Sequence, residues 1–519
     1  MLTSLLVDGG LFTIVGVLMF GILAVSAATL IMFTNSRSSK TFSRSLPYLL
    51  SLIPIVGNSL AFARHLDCYH EWLTGHSLER DGKPFALRLL GKNDIMYVSK
   101  PEHFDEVLKT HSSNFSKSDS VRDIFDDFLG EDIVLINGER WQLHRKILAN
   151  LISTRALRDY MTPIIREKVL ELQNVLKQKS KINRPFDIYK LIRQFTLDTF
   201  VEIGFGCKLG LLASGKEHPF ELAFDDANCI SMERLIKPTW LWKCQRFLGI
   251  GHERRLREAI SEMNAFIVNL IMEAMEMIKN VKTEQADESP PSKNIMAILL
   301  NTKETISPTL ARDIALTGLE AGRNTTADTL AWLFHALSHN PKVLSKLRNE
   351  ILTKIPEIGK SESYAPLYED VQELSYMEAT IREVFRLYPT VPVIPYHCHR
   401  DTLLHDETFV PAGTDVFLHL FAAGRQSSVW GPDVMSFKPE RFIDEQTGKV
   451  LKDTKYSAFS SGTRVCLGRN LAMLELKITI AVIISRFQLR EVPGQDVRPI
   501  LDLTLTMKNP LMMNVELID

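Results

Sequence analysis

A cysteine near the carboxyl end of the chain stands among residue types that could stabilise a thiolate. Cys466 lies in the stretch FSSGTRVCLG, and the segment that follows, LGRNLAMLELKITIAVIISRF, has a strongly helical pattern. At the beginning of a helix, free backbone N–H groups and the helix dipole both favour an anionic sulfur. Gly462 permits a tight turn, and Gly468 removes a side chain where a flat ligand could approach. Cys466 is therefore either a small buried hydrophobic residue, the usual role of a single cysteine, or an anionic metal ligand.

A neighbouring arginine favours the metal ligand. Arg464 offers a planar fork for a carboxylate, and haem carries two propionates besides an iron that a thiolate can bind. The pattern Phe-x-x-Gly-x-Arg-x-Cys-x-Gly is similar to the haem-ligand signature of the cytochrome P-450 family, and its five fixed residues are present as Phe459, Gly462, Arg464, Cys466 and Gly468. The resemblance implies haem b as the cofactor, Cys466 as its metal ligand, and Phe459 packed beside the thiolate.

Two further stretches have a plain interpretation and a functional one. GERWQLHRK places Trp141 and Arg145 on one helical face, which alone indicates an amphipathic helix with a core tryptophan. The resemblance implies instead that both donate to a haem propionate. EATIREVFRLYP carries Glu383 and Arg386 at i, i+3, a pair worth about 0.3 kcal/mol when exposed. The resemblance implies that this pair and Arg441 form a buried ionic cluster that braces the haem loop.

The stretch LEAGRNTTADTLAW lies in the middle of a long helical pattern although it contains poor helix formers. Gly322 and Thr325 indicate either close helix packing, with the threonine bonding back to a carbonyl, or a local opening. The family pattern matches at Ala321, Gly322, Thr325 and Thr326. It implies an opening over the iron that makes room for dioxygen, with Thr325 helping to steer protons.

The same stretch departs from the family pattern at Asn324, where an aspartate or glutamate is usual. Asparagine cannot relay a proton by ionising, so the proton route differs from the usual one. Glu320 is the substitute to test. We therefore predict Thr325, Asn324 and Glu320 as the residues at which catalytic proton delivery is decided.

A second departure follows in YPTVPVIPYHCHRD. Many relatives carry an arginine at the position of Tyr396 to hold a propionate, and here Tyr396, His397 and His399 are the alternatives. His397-Cys398-His399 also resembles half of a zinc site, but no second ligand pair stands at the needed spacing.

The elements that must position these residues are mainly helical, with a small β portion. The longest helical pattern begins at Ser307, a good N-cap followed by Pro308, and ends at Asn340-Pro341. Short β-like runs appear at FALRLLG, DIMYVS and TDVFLHL and near the carboxyl terminus. The resemblance covers roughly residues 45 to 519 and implies the cytochrome P-450 fold.

The amino-terminal region predicts a membrane anchor. Residues 11–33 include no charge, and 23 residues of helix can cross a bilayer core. Arg37, Lys40 and Arg44 follow the segment, which places the remaining chain in the cytosol. A cleaved signal peptide is the alternative. We predict a short lumenal tail and anchor over 1–36, a basic, proline-containing linker over 37–60 and a haem catalytic domain over 61–519.

Composition excludes some partners. With 61 basic and 62 acidic residues there is no basic face for nucleic acid, and six scattered cysteines do not form a disulfide framework. No nicotinamide or flavin site is encoded, so electrons must come from outside. The resemblance implies NADPH as their source, a separate NADPH-cytochrome P-450 reductase and cytochrome b5 as partners, and the endoplasmic reticulum membrane as the location.

These patterns predict a haem-thiolate monooxygenase acting on a small hydrophobic substrate. The stretches LGEDIVLINGERWQLHRK, FTLDTFVEIGFG and HPFELAFDDAN resemble most the eukaryotic microsomal fatty-acid and alkane ω-hydroxylase branch, which implies oxidation of a long chain at or near its terminus. By the same analogy substrate contacts come from residues 115–135, the helix before Gly322, 390–396 and 503–507. Two alternatives stay open: a sterol, terpenoid or xenobiotic hydroxylase, and a haem-thiolate isomerase or sensor without monooxygenase activity, which Asn324 would suit.

Overall fold

The computed structural model describes residues 46–49, 56–149, 152–284, 294, 307–451 and 458–518. The predicted membrane segment, 11–33, lies outside the described residues. Within them, no helix combines the length and the apolar character that a membrane span requires.

Helices form most of the described chain, as predicted. In chain order they are α1 Ser59–Arg64, α2 Tyr69–Glu79, α3 Pro101–Asp105, α4 Asp119–Leu129, α5 Gly138–Ala149, α6 Thr154–Ala156, α7 Thr162–Ile182, α8 Ile188–Phe205, α9 Leu211–Ser214, α10 Pro219–Ile236, α11 Thr239–Leu248, α12 His252–Glu284, α13 Pro308–His339, α14 Pro341–Lys354, α15 Glu357–Lys360, α16 Ser375–Leu387, α17 Leu420–Ala423, α18 Ser427–Trp430 and α19 Arg469–Arg486. Two π-helical turns, Glu106–Thr110 and Leu157–Met161, continue α3 and α6, and 3₁₀ turns cover Leu66–Cys68, Ser112–Asn114, Pro439–Phe442 and Gly462–Arg464.

The strands form three small sheets. They are β1 Phe85–Leu87, β2 Ile95–Val98, β3 Phe115–Ser116, β4 Phe186–Asp187, β5 Val393–Cys398, β6 Thr402–Leu403, β7 Phe409–Val410, β8 Asp415–His419, β9 Phe487–Glu491 and β10 Met512–Leu517. The largest sheet has the order β1-β2-β8-β5-β3, in which only β2 and β8 run parallel. The second has the order β4-β10-β9, and β6 and β7 form a separate hairpin.

Helix α13 is the axis of the molecule and begins and ends where the sequence predicts. The Ser307 hydroxyl accepts the N–H of Leu310 (3.1 Å), and Pro308 takes the first helical position, where no amide hydrogen is needed. Asn340 ends the helix before Pro341. Helices α8, α12, α16 and α19 all pack against α13, so its residues are largely buried.

The entry segment lies against the sheet. Leu46 and Leu49 are buried, and the N–H of Leu49 donates to the carbonyl of Ala86 in β1 (2.9 Å). The packed body therefore includes residues 46–49, which precede the predicted domain boundary at residue 61.

Candidate active site

The sulfur of Cys466 is held by the start of α19. Gly468 is the N-cap of this helix, and the backbone N–H groups of Gly468 and Arg469 hydrogen-bond the sulfur. The N–H of Cys466 itself donates to the Phe459 carbonyl (2.9 Å), which closes the loop. Burial raises the pKa of the Cys466 thiol, whereas the two N–H groups and the nearby Arg145 and Arg469 act in the opposite direction.

Cys466 faces an internal space. Protein atoms surround the thiol, so that burial has the largest effect on its pKa. The Cys466 side chain nevertheless has accessible surface, because open space adjoins it. Ala321 is likewise exposed although it lies in the middle of α13, where Leu319 and Arg323 are fully buried. A thiol that protein atoms enclose and that is still exposed lines a void, so the structure leaves room for a bound group beside Cys466, and Ala321 leaves open space beside the middle of α13.

Gly462 fixes the path of the cysteine loop. Its φ is +67°, and a Cβ would lie 2.3 Å from the carbonyl oxygen of Leu108 in the π-helical turn Glu106–Thr110. Only glycine satisfies both conditions. Gly468 has an ordinary φ of −75°, and its missing side chain leaves space 3.8 Å from the Cys466 sulfur.

Phe459 joins the cysteine loop to α16. Its ring meets Phe385 edge to face with centroids 5.2 Å apart, and the guanidinium of Arg469 lies 5.8 Å from the ring centroid. Phe459 therefore packs at the base of the loop whose other end carries the sulfur.

Helix α16 also carries a fully buried ion pair. Glu383 and Arg386 are both 0 % exposed, and Arg386 donates to the two carboxylate oxygens at 2.7 and 2.8 Å. Arg386 donates further to the carbonyls of Gly424 and Val434, and Nε of Arg441 lies 3.4 Å from Glu383. The cluster ties α16 to the irregular segment that leads into the cysteine loop.

Three cations converge beside the loop. Arg464 stacks on Trp141, with Cζ 4.7 Å from the ring centroid, and donates to the carbonyl of Ile136 (2.9 Å). Arg145 lies 5.5 Å from the same ring and donates to the Val465 carbonyl (3.0 Å). The third cation is Lys117. In the part of the chain that the structure describes, none of the three pairs with a carboxylate.

Lys117 is a residue that the sequence analysis missed. It is buried, donates to the Pro395 carbonyl (3.2 Å) and lies 4.1 Å from the ring centroid of Tyr396. Burial, together with the smaller effect of the charge on Arg464, lowers the pKa of Lys117 to about 7. The pairing of Ser116 in β3 with His397 in β5 brings this lysine to the site, and such a contact leaves no local signal in the sequence.

Tyr396, His397 and His399, the three alternatives for holding a propionate, lie in different surroundings. Tyr396 is buried beside Lys117, and burial raises its pKa to about 12. Nδ1 of His397 lies 2.8 Å from the Asp415 carboxylate, and Nδ1 of His399 lies 3.3 Å from the Ser116 hydroxyl. The alternation of β5 puts Cys398 on the same face as Tyr396 and opposite His397, and the Cys398 thiol donates to the Arg400 carbonyl (3.0 Å). Tyr396 alone of the three lies in the cation group.

The opening predicted at Gly322 is not present in the helix. Helix α13 is continuous over Pro308–His339. A Cβ at Gly322 would lie 2.0 Å from the ring of Phe200, so the glycine allows α8 and α13 to approach. The Thr325 hydroxyl donates to the Ala321 carbonyl (2.7 Å). Close packing and a back-bonded threonine thus account for both residues, and the space lies beside Ala321 and not within the helix.

Asn324 and Glu320, two polar residues of α13, have different surroundings. Asn324 is buried and accepts from Nη1 of Arg323 (3.2 Å), whose guanidinium also lies 3.2 Å from Glu221. Glu320 is partly exposed, and burial raises its pKa to about 8, with Asp132 adding to the effect. Glu320 is therefore largely protonated at neutral pH.

The comparisons with known proteins agree with this geometry. The cytochrome P450 family model matches residues 47–515. The chain is similar to cytochrome P450 86B1 of Arabidopsis thaliana, 31% identical over 88% of this chain and 83% of the relative. It is also similar to cytochrome P450 94A1 of Vicia sativa, 30% identical over 84% of each chain, and to cytochrome P450 704B1 of Arabidopsis thaliana, 29% identical over 89% and 93%.

The chain belongs to the cytochrome P450 family. Members of this family are haem monooxygenases that receive electrons from a redox partner. The residues of this P450 fit the group that the family implies. A sulfur that accepts two N–H groups suits an anionic iron ligand. Lys117, Arg145 and Arg464 have no carboxylate partner among the described residues, and two propionates would supply the negative charge that they need.

Three of the predicted substrate stretches of the P450 are joined to α13, which contains the fourth. The Thr317 hydroxyl donates to the carboxylate of Asp132 (2.6 Å), which ties residues 115–135 to the helix. The hydroxyls of Thr329 and Thr390 lie 2.8 Å apart, and the N–H of Leu505 donates to the Thr390 carbonyl (2.8 Å). These contacts join 390–396 and 503–507 to the same helix.

Proposed function

We propose that this P450 hydroxylates a long-chain fatty acid or alkane at or near its terminus, using dioxygen and electrons from NADPH. The sulfur of Cys466, held by two backbone N–H groups beside three cations that pair with no carboxylate among the described residues, is the observation that supports the oxygenase chemistry. Bound haem with a thiolate ligand supplies the cleavage of the O–O bond. The residues of the chain hold the haem, deliver protons and orient the substrate.

Haem would be held at its iron and at its propionates. Cys466 would bind the iron, while Arg464, Arg145 and Lys117 would receive the propionates, with Trp141 and Tyr396 supporting them through their rings. Gly468 leaves space next to the sulfur for the flat ring, and Ala321 lies on α13, which packs against α19. Each cation would gain the partner that it lacks in the protein alone.

Proton delivery would start from Glu320. Oxygen cleavage consumes two protons, and Asn324 cannot supply one. Glu320 carries a proton at neutral pH because burial raises the pKa of its carboxyl to about 8, and it precedes the exposed Ala321 on α13. Thr325 is placed to pass a proton on, since its hydroxyl donates to the Ala321 carbonyl and can turn by one rotamer.

The charges near α13 support oxidation at the apolar end of the substrate. Asp132, Asp502 and Asp328 all raise the pKa of Glu320, so several carboxyl groups lie around this part of the helix. A further carboxylate there would be repelled. A fatty acid would therefore enter with its methyl end first, past partly buried Leu503 and Val393. The resemblance of three sequence stretches to the ω-hydroxylase branch supports the same substrate class.

Electrons would reach the haem from a separate NADPH-cytochrome P-450 reductase, with cytochrome b5 as a further donor. Residues 11–33 would anchor the protein in the endoplasmic reticulum membrane and keep the catalytic body on the cytosolic side, where the reductase is. Membrane fractionation of the full chain and of a chain without residues 1–36 tests the anchor: only the full chain should resist extraction by alkaline carbonate.

The substrate is tested with purified protein, reductase and NADPH against a panel of fatty acids, alkanes, sterols and terpenoids. We expect hydroxylated product from the long linear chains, with the hydroxyl at or next to the methyl end. Product only from sterols or terpenoids would contradict the substrate proposal. Bound haem without NADPH-dependent oxygen uptake on any substrate would contradict the monooxygenase and favour an isomerase or sensor.

A further inference from the structure

Far from the cysteine sulfur in sequence, two histidines and a glutamate come together beneath the β6–β7 hairpin. His103 lies in α3, Glu106 begins the π-helical turn that continues α3, and His405 lies in the hairpin turn. One ligand atom of each lies within 4.8 Å of the other two. Asp406 adds a second carboxylate, 3.0 Å from Nε2 of His103. The cluster joins two segments that are about three hundred positions apart in the chain.

One nitrogen of the cluster lacks a hydrogen-bond partner. His103 is 1 % exposed, and its Nδ1 is buried with no partner among the described residues. Buried ring nitrogens are normally satisfied, and an unpaired one calls for a water or an ion. Asp406 receives the hydrogen of Nε2 and so leaves Nδ1 with a free lone pair. A carboxylate that fixes the tautomer of a histidine in this way is the usual second partner of a metal-binding imidazole.

The other two groups complete a ligand set. Nδ1 of His405 lies 2.7 Å from Oε2 of Glu106, and the N–H of His405 donates to Oε1 of the same carboxylate (2.8 Å). The His405 side chain is 46 % exposed, so an ion can enter from solvent and this ring can turn. A tetrahedral site with bonds of about 2.1 Å separates its ligand atoms by about 3.4 Å. The three ligand atoms lie within 4.8 Å of one another, and the exposed His405 ring is the group that can turn to adjust this spacing.

We propose that His103, Glu106 and His405 bind one divalent transition-metal ion of the Zn²⁺ class, with Asp406 orienting His103. Two imidazole nitrogens and one carboxylate oxygen suit Zn²⁺ better than Mg²⁺ or Ca²⁺, which prefer oxygen alone. The ion replaces the proton shared by His405 and Glu106 and clamps the hairpin to the π-helical turn. This inference does not depend on the substrate proposed above.

A second group of side chains also has the spacing of a metal site. His335, His339 and Glu491 also lie close enough to hold an ion. There, however, Nδ1 of His335 lies 2.7 Å from Glu491, and Nδ1 of His339 lies 2.9 Å from the His335 carbonyl. His339 is also largely exposed, and neither of its partners offers a buried nitrogen without a hydrogen bond. The site beneath the hairpin is therefore the one that needs a ligand.

The test uses the full-length haem-loaded protein, treated with a chelator, equilibrated with Zn²⁺, desalted and assayed for bound zinc and for the thermal unfolding midpoint. Two variants, His405→Ala and Glu106→Gln, each remove one proposed ligand, and a third, Asp406→Asn, removes the partner that orients His103. The matched control is His252→Ala, since His252 is an exposed histidine whose Nδ1 lies 2.7 Å from a glutamate without a third ligand. Exposed Cys229 and Cys244 could also take up zinc and are present in every variant.

We expect about one more zinc per chain in the wild type and in His252→Ala than in His405→Ala or Glu106→Gln. Asp406→Asn should weaken zinc binding about 10- to 100-fold, as loss of a second partner does. Zinc should raise the unfolding midpoint of the wild type and leave that of His405→Ala unchanged. Equal zinc in the wild type and His405→Ala, or loss of that zinc in His339→Ala alone, would overturn the proposal.

Discussion

Gly462 lies against the backbone of Leu108, so that a Cβ at the glycine would come within 2.3 Å of the Leu108 carbonyl oxygen. The contact joins the cysteine loop to the π-helical turn Glu106–Thr110. It fixes where the loop can place the sulfur four positions later.

Gly462→Ala should therefore displace the loop. The positive φ alone costs about 1–2 kcal/mol for a residue with a side chain, and the clash adds to it. Gly448→Ala is the matched control, because Gly448 has φ +64° but nothing within 4 Å of a Cβ. We expect Gly462→Ala to lose most of its bound haem, measured by absorbance, while Gly448→Ala keeps it. Equal haem content in the two variants would show that the close approach is unimportant.

Cys466→Ser should abolish thiolate ligation. A hydroxyl is neutral at ordinary pH and cannot replace the anionic sulfur that the two N–H groups hold. The reduced protein treated with carbon monoxide should lose the absorption band of thiolate-bound haem, and Cys244→Ser, at an exposed position, should keep it. An unchanged spectrum in Cys466→Ser would contradict the assignment of the iron ligand.

Lys117→Met should weaken haem binding and change the pH dependence of the haem-free protein. The pKa of Lys117 is about 7 in the folded chain, against 10.5 for an ordinary lysine. Between these values the unfolded chain binds a proton that the folded chain has released, so stability rises as pH rises. Urea unfolding of haem-free protein at about pH 7 and about pH 9 should show this rise in the wild type and a smaller one in Lys117→Met. Faster haem transfer to an acceptor protein is the second readout, and transfer at the wild-type rate would argue against contact with a propionate.

Glu320→Gln should slow product formation about tenfold or more, as loss of a proton donor does. In the wild type the rate should fall as pH rises through about 8, where the carboxyl loses its proton, and the variant should lack this fall. Glu475→Gln is the control, since burial raises the pKa of Glu475 to about 8 as well. Both folded carboxyls keep a proton that the unfolded chain releases above 4.5, so both lower stability as pH rises from there to about 8. Only Glu320→Gln should change the rate profile, and the same change in Glu475→Gln would indicate an effect of stability alone.

Glu383→Gln should destabilise the protein by about 3–5 kcal/mol, because it leaves the guanidinium of Arg386 buried without a counter-charge. Lys346→Ala breaks a well-exposed pair with Glu440 and should cost at most about 1 kcal/mol. Denaturant unfolding of both variants measures the difference. Similar losses would mean that the buried cluster does not brace the haem loop.

Local signals predicted α13 well. Ser307, Pro308 and Asn340 determine its ends through their own backbone chemistry, and the structure places the ends at those residues. The signature around Cys466 likewise depends on neighbours a few positions apart, and the loop closes through the hydrogen bond from Cys466 to Phe459.

Contacts between distant segments could not be predicted. No β-like run was predicted at 393–398, yet β5 forms there because β8 and β3 pair with its two edges. Lys117 reaches the site through that pairing. At Gly322 the sequence left close packing and an opening as alternatives, because the residue that packs there, Phe200, lies on another helix. In each case the structure depends on a contact with a residue that no local spacing in the sequence indicates.

Arg464, Arg145 and Lys117, which pair with no carboxylate among the described residues, also bear on how the protein is made. A newly synthesised chain that has not yet met its pigment keeps the charges of Arg464 and Arg145 close to the partly protonated Lys117, and repulsion there favours local opening and proteolysis. The amount of enzyme in a cell should then follow the supply of porphyrin iron, independently of how much messenger RNA is translated.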